Sequence, residues 1–581
     1  MSEQSRDPVV DVRKLNIAFG KSSVVHDVDF RINPGETLAV VGESGSGKSV
    51  TSMAIMGLLP KGAQVNGSIR LGGQEVIGAS ERTMRSLRGE VASMIFQEPM
   101  MSLNPVLTVG AQVKEMLRQH SDLSDAEATR EGIRLFDRVR IPDAARRFRD
   151  YPHMFSGGMR QRIMIAIALA CSPRLLIADE PTTALDVTIQ AQILDLLNEV
   201  QRESGTAILF VTHDMGVVAN MADRVMVMRS GYSLETGSVG EIFERPAHDY
   251  TKMLIDAVPR LGEAQHVPLK ASDAAAGKPI LSVRNLVTRF PVKGGALRRT
   301  IGQVHAVEGL NFDLYPGETL SFVGESGCGK STTGRSLLFL NQPNSGEIVF
   351  DGREVKSSNP SDVSYLRRNM QMVFQDPFSS LDPKQRIGDI LSEPLLCHGL
   401  ASKAEAREKG EHLLERVGLE AGMISRLPHE FSGGQRQRIC IARALMLDPK
   451  VVIADEAVSA LDVSVKAQVV DLMVDLQEEL GLSYLFISHD MAIVERVSHR
   501  VAVMYMGEIV EIGPRDAVIG NPKHEYTQRL MAAVPDPDPT TDRSQLMGAP
   551  VVELPSPIRT LDYVPPARQF RQVGTDHLVA D

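Results

Sequence analysis

The chain is poor in cysteine. Its four thiols, Cys171, Cys328, Cys397 and Cys440, lie far apart, and no two form a CxxC pair. That excludes a disulfide-stapled scaffold and a paired-cysteine zinc site, and it fits a reducing compartment. Long apolar runs are also absent: none approaches the ~18–20 residues needed to cross a bilayer, so any membrane role falls to a partner. The opening MSEQSRDPVVDVRKLNIAFG has no basic end followed by an apolar core and does not read as a signal peptide. Positive charge is outweighed, with 63 Lys and Arg against 73 Asp and Glu and a net charge of −10. Binding of nucleic acid or anionic membranes through bulk charge is therefore excluded, although a local basic patch is not. Hydrophobic residues make up 43%, ordinary for a chain that buries cores and too many for a disordered one.

At 581 residues the chain has room for two large domains or several smaller ones. Internal repetition decides between them. PGETLAVVGESGSGKS (Pro34 to Ser49) recurs as PGETLSFVGESGCGKS (Pro316 to Ser331), and FQEP (Phe96 to Pro99) as FQDP (Phe374 to Pro377). FSGGMRQR (Phe155 to Arg162) returns as FSGGQRQR (Phe431 to Arg438), LLIADE as VVIADE, and FVTHDM as FISHDM. The copies are offset by 282 residues at Lys48 and Lys330, by 278 at Gln97 and Gln375, and by a constant 276 from Ser156 and Ser432 onward. Small early insertions followed by one register describe a duplicated globular domain. The reading is a first domain over 8–259, a flexible Ala/Gly/Pro-rich linker over 260–279, a second domain over 280–535 and an extended tail over 536–581. Short apolar runs (Thr37 to Val41, Leu175 to Ala178, Ala207 to Val211) alternate with longer amphipathic stretches such as Ala191 to Arg202. This predicts buried parallel strands between helices, an α/β fold.

Gly42, Glu43, Ser44, Gly45, Ser46, Gly47, Lys48 and Ser49 match GxxxxGK[ST] after an apolar run and before a helix-like segment. In that setting glycines let backbone N–H groups approach phosphates at a helix N-terminus, lysine reaches the β- and γ-phosphates, and the serine hydroxyl binds Mg²⁺. Gly324, Glu325, Ser326, Gly327, Cys328, Gly329, Lys330 and Ser331 repeat the pattern. The bland alternative is a glycine turn with an exposed lysine. Asp179 and Asp455 end apolar strands, where a carboxylate holds Mg²⁺. Glu180 and Glu456 follow, placed either to polarise an attacking water or to cap the next turn. His213 and His489 lie 34 residues after each aspartate; a γ-phosphate contact competes there with a packed or capping residue. Ser156, Gly157 and Gly158, and likewise Ser432, Gly433 and Gly434, would open helices with N–H groups exposed as a second anion site. Taken alone, Ser-Gly-Gly is common in turns.

These motifs, in this order and twice over, resemble an ATP-binding-cassette protein across nearly the whole chain, including an ALD turn at Ala184 to Asp186 and Ala460 to Asp462. The resemblance implies two tandem cassettes, each with a RecA-like α/β core, an antiparallel β subdomain and a helical signature subdomain. It further implies that the cassettes pair within the chain, so that each ATP meets one half's loop and the other half's signature. One site would join Lys48, Gln97, Asp179, Glu180 and His213 with Ser432 and Gly434; the other would join Lys330, Gln375, Asp455, Glu456 and His489 with Ser156 and Gly158. Gln97 and Gln375 are implied metal contacts beside Ser49, Asp179, Ser331 and Asp455. Phe19 and Phe290 are implied adenine-stacking rings, with a core role as the alternative.

The stretches FQEPMMSLNP, FQDPFSSLDP, YPHMFSGG and LPHEFSGG, with a His-x-Tyr-Thr element at His248, Tyr250 and Thr251 and at His524, Tyr526 and Thr527, resemble oligopeptide/dipeptide importers. Relatives of that type carry peptides, nickel, opines or glutathione. No chemistry is assigned to the His-x-Tyr-Thr element, which also reads as a buried turn. The resemblance implies ATP and Mg²⁺ as cofactors, two membrane-spanning permease subunits, an extracytoplasmic solute-binding protein reached through them, no nucleic-acid partner, and a peripheral place on the cytoplasmic face of the inner membrane. The competing readings are a soluble cassette ATPase acting on ribosomes or nucleic acid, and the motor of an exporter. Four departures stand out. Val50 sits where the second copy has Thr332, which is expected to weaken ATP binding at the first site by up to about tenfold. Met159 replaces the signature glutamine, with little loss expected. Ala457 and Val458 replace Pro-Thr after Glu456 and are expected to alter the turn. Cysteine clusters near the cassette ends are absent, so no iron–sulfur centre is expected.

Overall fold

The computed structural model describes residues 7–97, 102–183, 185–258, 261–262, 277–294, 299–459, 461–535, 537–539, 557–566 and 568–581. Glu98 and Pro99 of the first glutamine motif, Ala184 and Ala460 of the ALD turns, most of the linker 260–279 and much of the tail lie outside the described residues. The chain forms two compact units, the first chiefly Met1–Leu185 with Ile189–Val258, the second chiefly Pro259–Val534 with Pro550–Asp581.

In the first unit a six-stranded sheet runs in the order Tyr232–Ser238, Arg224–Arg229, Thr37–Val41, Ala207–Thr212, Leu175–Asp179, Ala92–Ile95. All neighbours are parallel except the Tyr232–Ser238 edge. The three apolar runs read from sequence are three of its four inner strands, and every residue of each is buried. Strands covered on both faces lose the alternating pattern, which is why these run without polar interruption. A four-stranded antiparallel sheet (Ser22–Ile32, Val10–Phe19, Ala63–Leu71, Gln74–Glu75) shares a core with one face of the large sheet, through Val12, Leu15, Ile69, Leu38 and Leu209. The helices Val109–His120, Asp125–Arg138 and Gly157–Leu169 form a separate helical layer, with Phe136 edge-on to Phe148 at 5.2 Å.

The second unit repeats this plan and extends it. Its parallel strands Met370–Val373, Val451–Asp455, Ser483–Ile487, Thr319–Val323 and Arg500–Tyr505 are followed by antiparallel Glu508–Pro514. Two strands from the tail then complete an eight-stranded sheet, His577–Ala580 pairing with Glu508–Pro514 and Phe570–Gly574 pairing outside it. A third piece of the tail, Ile558–Arg559, pairs with Arg299–Leu314 in the unit's antiparallel sheet. The expectation of a merely extended tail is corrected here: its described end is a hairpin built into the second unit.

Candidate nucleotide sites, one in each unit

The loop from Gly42 links the central strand Thr37–Val41 to the helix Lys48–Ile55, and Gly324 to Ser331 does the same between Thr319–Val323 and Lys330–Leu337. The residue before each helix, Gly47 or Gly329, has φ of 98° or 109°, and a Cβ on Gly329 would lie 2.1 Å from the Ala306 carbonyl oxygen. Only glycine fits that turn. Lys48 Nζ donates to the carbonyls of Gly42 (2.7 Å) and Glu43 (2.9 Å), and Lys330 Nζ donates to those of Gly324 (2.6 Å) and Glu325 (3.0 Å). Both lysines are buried, so the bland reading of an exposed lysine fails. The ammonium curls the loop around itself, which leaves the helix's first N–H groups as a concave anion cradle.

Ser49 Oγ donates to Asp179 Oδ1 at 2.9 Å, and Ser331 Oγ to Asp455 Oδ1 at 2.6 Å. Burial pushes the Asp179 carboxyl up to about 6, with the Ser49 hydroxyl opposing and the Glu180 charge adding to the rise. Asp455 is raised for the same first reason. The second oxygen of Asp455 is buried with no hydrogen-bond partner.

Glu180 and Glu456 directly follow the strands, with φ of 47° and 48°. Non-glycine residues are seldom held there, and such strain gathers at functional sites. Gln97 Nε2 donates to Glu180 Oε2 at 2.8 Å, and Gln375 Nε2 to Glu456 Oε2 at 2.7 Å. His213 Nδ1 stands 3.4 Å from Glu180 Oε1, and His489 Nδ1 3.6 Å from Glu456 Oε2. Burial works against ionisation of Glu180, yet the hydrogen bonds and charge of His213 outweigh it and hold the carboxylate at about 2. Glu456 is lowered by the same balance. Each histidine is fixed by the turn after it: Asp214 and Asp490 cap the helices Met215–Met221 and Met491–Val497, and their N–H groups donate to Thr212 and Ser488.

The structure thus gathers loop, glutamine, aspartate, glutamate and histidine in each unit. Ser156 and Ser432 stand instead in the helical layers, as N-caps of Gly157–Leu169 and Gly433–Leu445, with Gly157, Gly158, Gly433 and Gly434 in the first turns. Ser432 forms a reciprocal capping box with Gln435; with Met159 at the matching place, Ser156 receives only the Met159 N–H. Phe19 is partly buried against the first core, while Phe290 is 38% exposed. The turn after Glu456 follows the course of its counterpart despite Ala457 and Val458: Thr183 N–H donates to the Glu180 carbonyl, and Ser459 N–H to that of Glu456. The expected alteration is therefore corrected. What differs is a side chain, since Thr183 Oγ1 donates to the Glu180 carboxylate at 2.9 Å, whereas Ser459 Oγ donates to the Glu456 carbonyl.

Two residues that the sequence marks without a role, Tyr250 and Tyr526, gain one here. Tyr250 Oη accepts from the Glu43 N–H at 3.2 Å, and Tyr526 Oη from the Glu325 N–H at 2.9 Å. Each tyrosine braces the phosphate loop from the helix that His248 or His524 caps. The available signal was the repeated His-x-Tyr-Thr element at a constant offset.

The family described as "ABC transporter" matches residues 25–183 and 307–459, and "Oligopeptide/dipeptide transporter, C-terminal region" matches 234–279 and 510–555. The chain is 53% identical to the glutathione import ATP-binding proteins GsiA of Pectobacterium atrosepticum and Escherichia coli K12, covering 98% of this chain and 96% of each of those. The same identity holds for the Salmonella typhimurium protein of that name, at 99% and 97% coverage. Among solved structures, CbiO1 of Clostridium perfringens, part of the transporter complex CbiONQ, is 29% identical over 42% of this chain and 91% of its own. A dimeric post-hydrolysis cassette, MJ0796 bound to ADP and Pi, is 24% identical over 40% and 98%; with TM-scores of 0.36 neither structure bears on the assignment. By its duplicated motifs, its matched regions and its full-length relatives, the chain belongs to the ABC transporter family and is an ATPase of the oligopeptide/dipeptide importer type, with two cassettes on one polypeptide.

Proposed function

We propose that this chain binds two ATP molecules and spends their hydrolysis on the uptake of glutathione or a peptide of similar size. One observation carries the chemistry: the set Lys–Ser–Gln–Asp–Glu–His is assembled in both units with the same contacts, so neither site lacks a catalytic group. The solute reading rests on the 53% identity to glutathione import proteins over nearly the full length. Lys48 and Lys330 hold the β- and γ-phosphates, and Glu180 and Glu456 orient the attacking water, with His213 and His489 fixing the carboxylates and contacting the γ-phosphate.

Ser49 with Asp179 and Ser331 with Asp455, joined by Gln97 and Gln375, are oxygen donors suited to Mg²⁺. The unpartnered buried oxygen of Asp455 fits that role, because a bare carboxylate oxygen away from water is costly unless it meets a cation or a donor. When bound, Mg²⁺ supplies charge neutralisation across the β- and γ-phosphates. No helix among the described residues is long and apolar enough to cross a membrane. The likeness to oligopeptide/dipeptide import ATPases supports a pore made by two permease subunits and fed by an extracytoplasmic solute-binding protein, with this chain peripheral on the cytoplasmic face. The test is uptake of labelled glutathione and labelled oligopeptides by a strain lacking the gene. Uptake of one class should vanish, return with the wild-type gene and fail to return with Glu180→Gln/Glu456→Gln. Unchanged uptake, with the chain co-sedimenting with ribosomes, would overturn the reading.

A further inference from the structure

The two units differ at one carboxylate that holds the helix bracing the phosphate loop, partly exposed as Glu235 in the first unit and fully buried as Glu511 in the second. In the first unit Glu235 accepts from the N–H groups of Ala247 (2.7 Å) and His248 (3.1 Å) and from Thr251 Oγ1 (2.5 Å). These contacts hold the start of the helix Asp249–Asp256, whose Tyr250 braces the loop at Glu43. In the second unit Glu511 stands at the same offset and accepts from the N–H groups of Lys523 and His524, both at 2.9 Å. Its third contact is different. His577 of the C-terminal hairpin places Nε2 2.8 Å from Glu511 Oε1, and the side chains are 4% and 0% exposed. Thr527, the counterpart of Thr251, is buried with its hydroxyl unpartnered.

The hairpin has thus taken over a contact that the first unit makes locally. Space is made for it: a Cβ on Gly513 would lie 2.9 Å from the His577 ring. Further anchors hold the hairpin, namely pairing of Glu511 and Ile512 with Val579 and Leu578, and the ion pair of Arg568 with Glu508. From His577 the chain of contacts runs through Glu511 to the N–H groups of Lys523 and His524, then to Tyr526 and to the Glu325 N–H. A buried carboxylate with every contact made is rigid, and one that loses a partner reorganises.

We infer that His577 is a positioning residue for ATP at the second cassette alone, tying the C-terminal hairpin to the phosphate loop of Lys330 while the loop of Lys48 is held without it. The inference rests on the assignment of both loops as ATP sites.

The experiment measures Mg²⁺-dependent binding of trinitrophenyl-ATP to the full chain in two backgrounds, Lys48→Ala and Lys330→Ala, each reporting the remaining loop. His577→Ala is combined with Thr527→Val so that the local hydroxyl cannot substitute. In the Lys48→Ala background this pair should raise Kd about 3- to 10-fold, roughly one hydrogen bond's worth. In the Lys330→Ala background it should change nothing. Thr527→Val alone should be silent, whereas Thr251→Val should weaken binding at the first loop. His577→Gln, which keeps a donor for Glu511, should restore the second loop, and Tyr526→Phe should reproduce the loss without adding to it. Equal weakening in both backgrounds, no weakening in either, or additive effects of Tyr526→Phe and the His577 pair would overturn the inference alone. Two-site binding persisting in either single lysine variant would overturn the loop assignment, and the inference with it.

Discussion

Gln97 Nε2 donates to Glu180 Oε2 at 2.8 Å, so a glutamine just beyond the strand Ala92–Ile95 holds the carboxylate just beyond the strand Leu175–Asp179. Replacing Gln97 by Ala removes this tether together with an oxygen proposed for the Mg²⁺ site. The ATPase kcat of the full chain should fall, by about tenfold or more at the affected site, with a smaller change in KM. Unchanged kcat with a raised KM would show that Gln97 serves binding alone. A coupled phosphate-release assay separates the two.

The signature helices differ in their caps. Ser432 and Gln435 satisfy each other's N–H groups, but Met159 leaves the Ser156 N–H without that return bond. Met159→Gln should therefore stabilise the first unit by about 0.5–1 kcal/mol, and Gln435→Met should destabilise the second by a similar amount. Denaturant unfolding of the two variants checks the signs.

A titratable group is also exchanged between units. The Thr37 N–H donates to the Asp223 carboxylate, whereas the Thr319 N–H donates to His499 Nδ1. Burial, reinforced by the charge of Arg515, pushes His499 down from 6.5 to about 4. The unfolded chain then takes up this proton first. The neutral imidazole contributes fully above pH ~6.5, and that contribution is lost as pH falls through about 4, on the order of 3 kcal/mol in all and about 2 kcal/mol of it by pH 5. His499→Asp, which copies the first unit, should remove this share of the acid sensitivity. Unfolding free energies at pH 7 and pH 5 supply the comparison.

The thiols sort by burial. Burial pushes Cys440 up to about 11 and also raises Cys328 and Cys171, while Cys397 is exposed. Since the thiolate is the reactive form, titration with a chromogenic disulfide at pH 8 should show one fast thiol. Cys397→Ser should abolish that phase.

Much of the site was legible because its chemistry is local in sequence. A loop whose glycines, lysine and serine are consecutive announces itself, and a strand buried on both faces is written as an unbroken apolar run, as in Leu175–Asp179. The role of the braces was not legible, although their repeated element was. Tyr250 and Tyr526 act on loops some 200 residues earlier, and no spacing rule connects a tyrosine to a distant backbone N–H. The hairpin was hidden for another reason. The Pro-rich stretch before it reads as extended, and a short strand such as His577–Ala580 gains its stability from the sheet edge it joins, not from its own pattern. The turn at Ala457 and Val458 misled because its path is set by backbone hydrogen bonds from Ser459 and Leu461, which are indifferent to the side chains replaced.

As proposed, this chain is a two-site ATPase whose water-orienting bases are Glu180 and Glu456. The most direct measurement is steady-state ATP hydrolysis by the Glu180→Gln/Glu456→Gln chain, with ATP binding measured on the same sample. The account predicts retained binding with hydrolysis reduced by about 100-fold or more. Hydrolysis within a few-fold of the wild-type rate would contradict it.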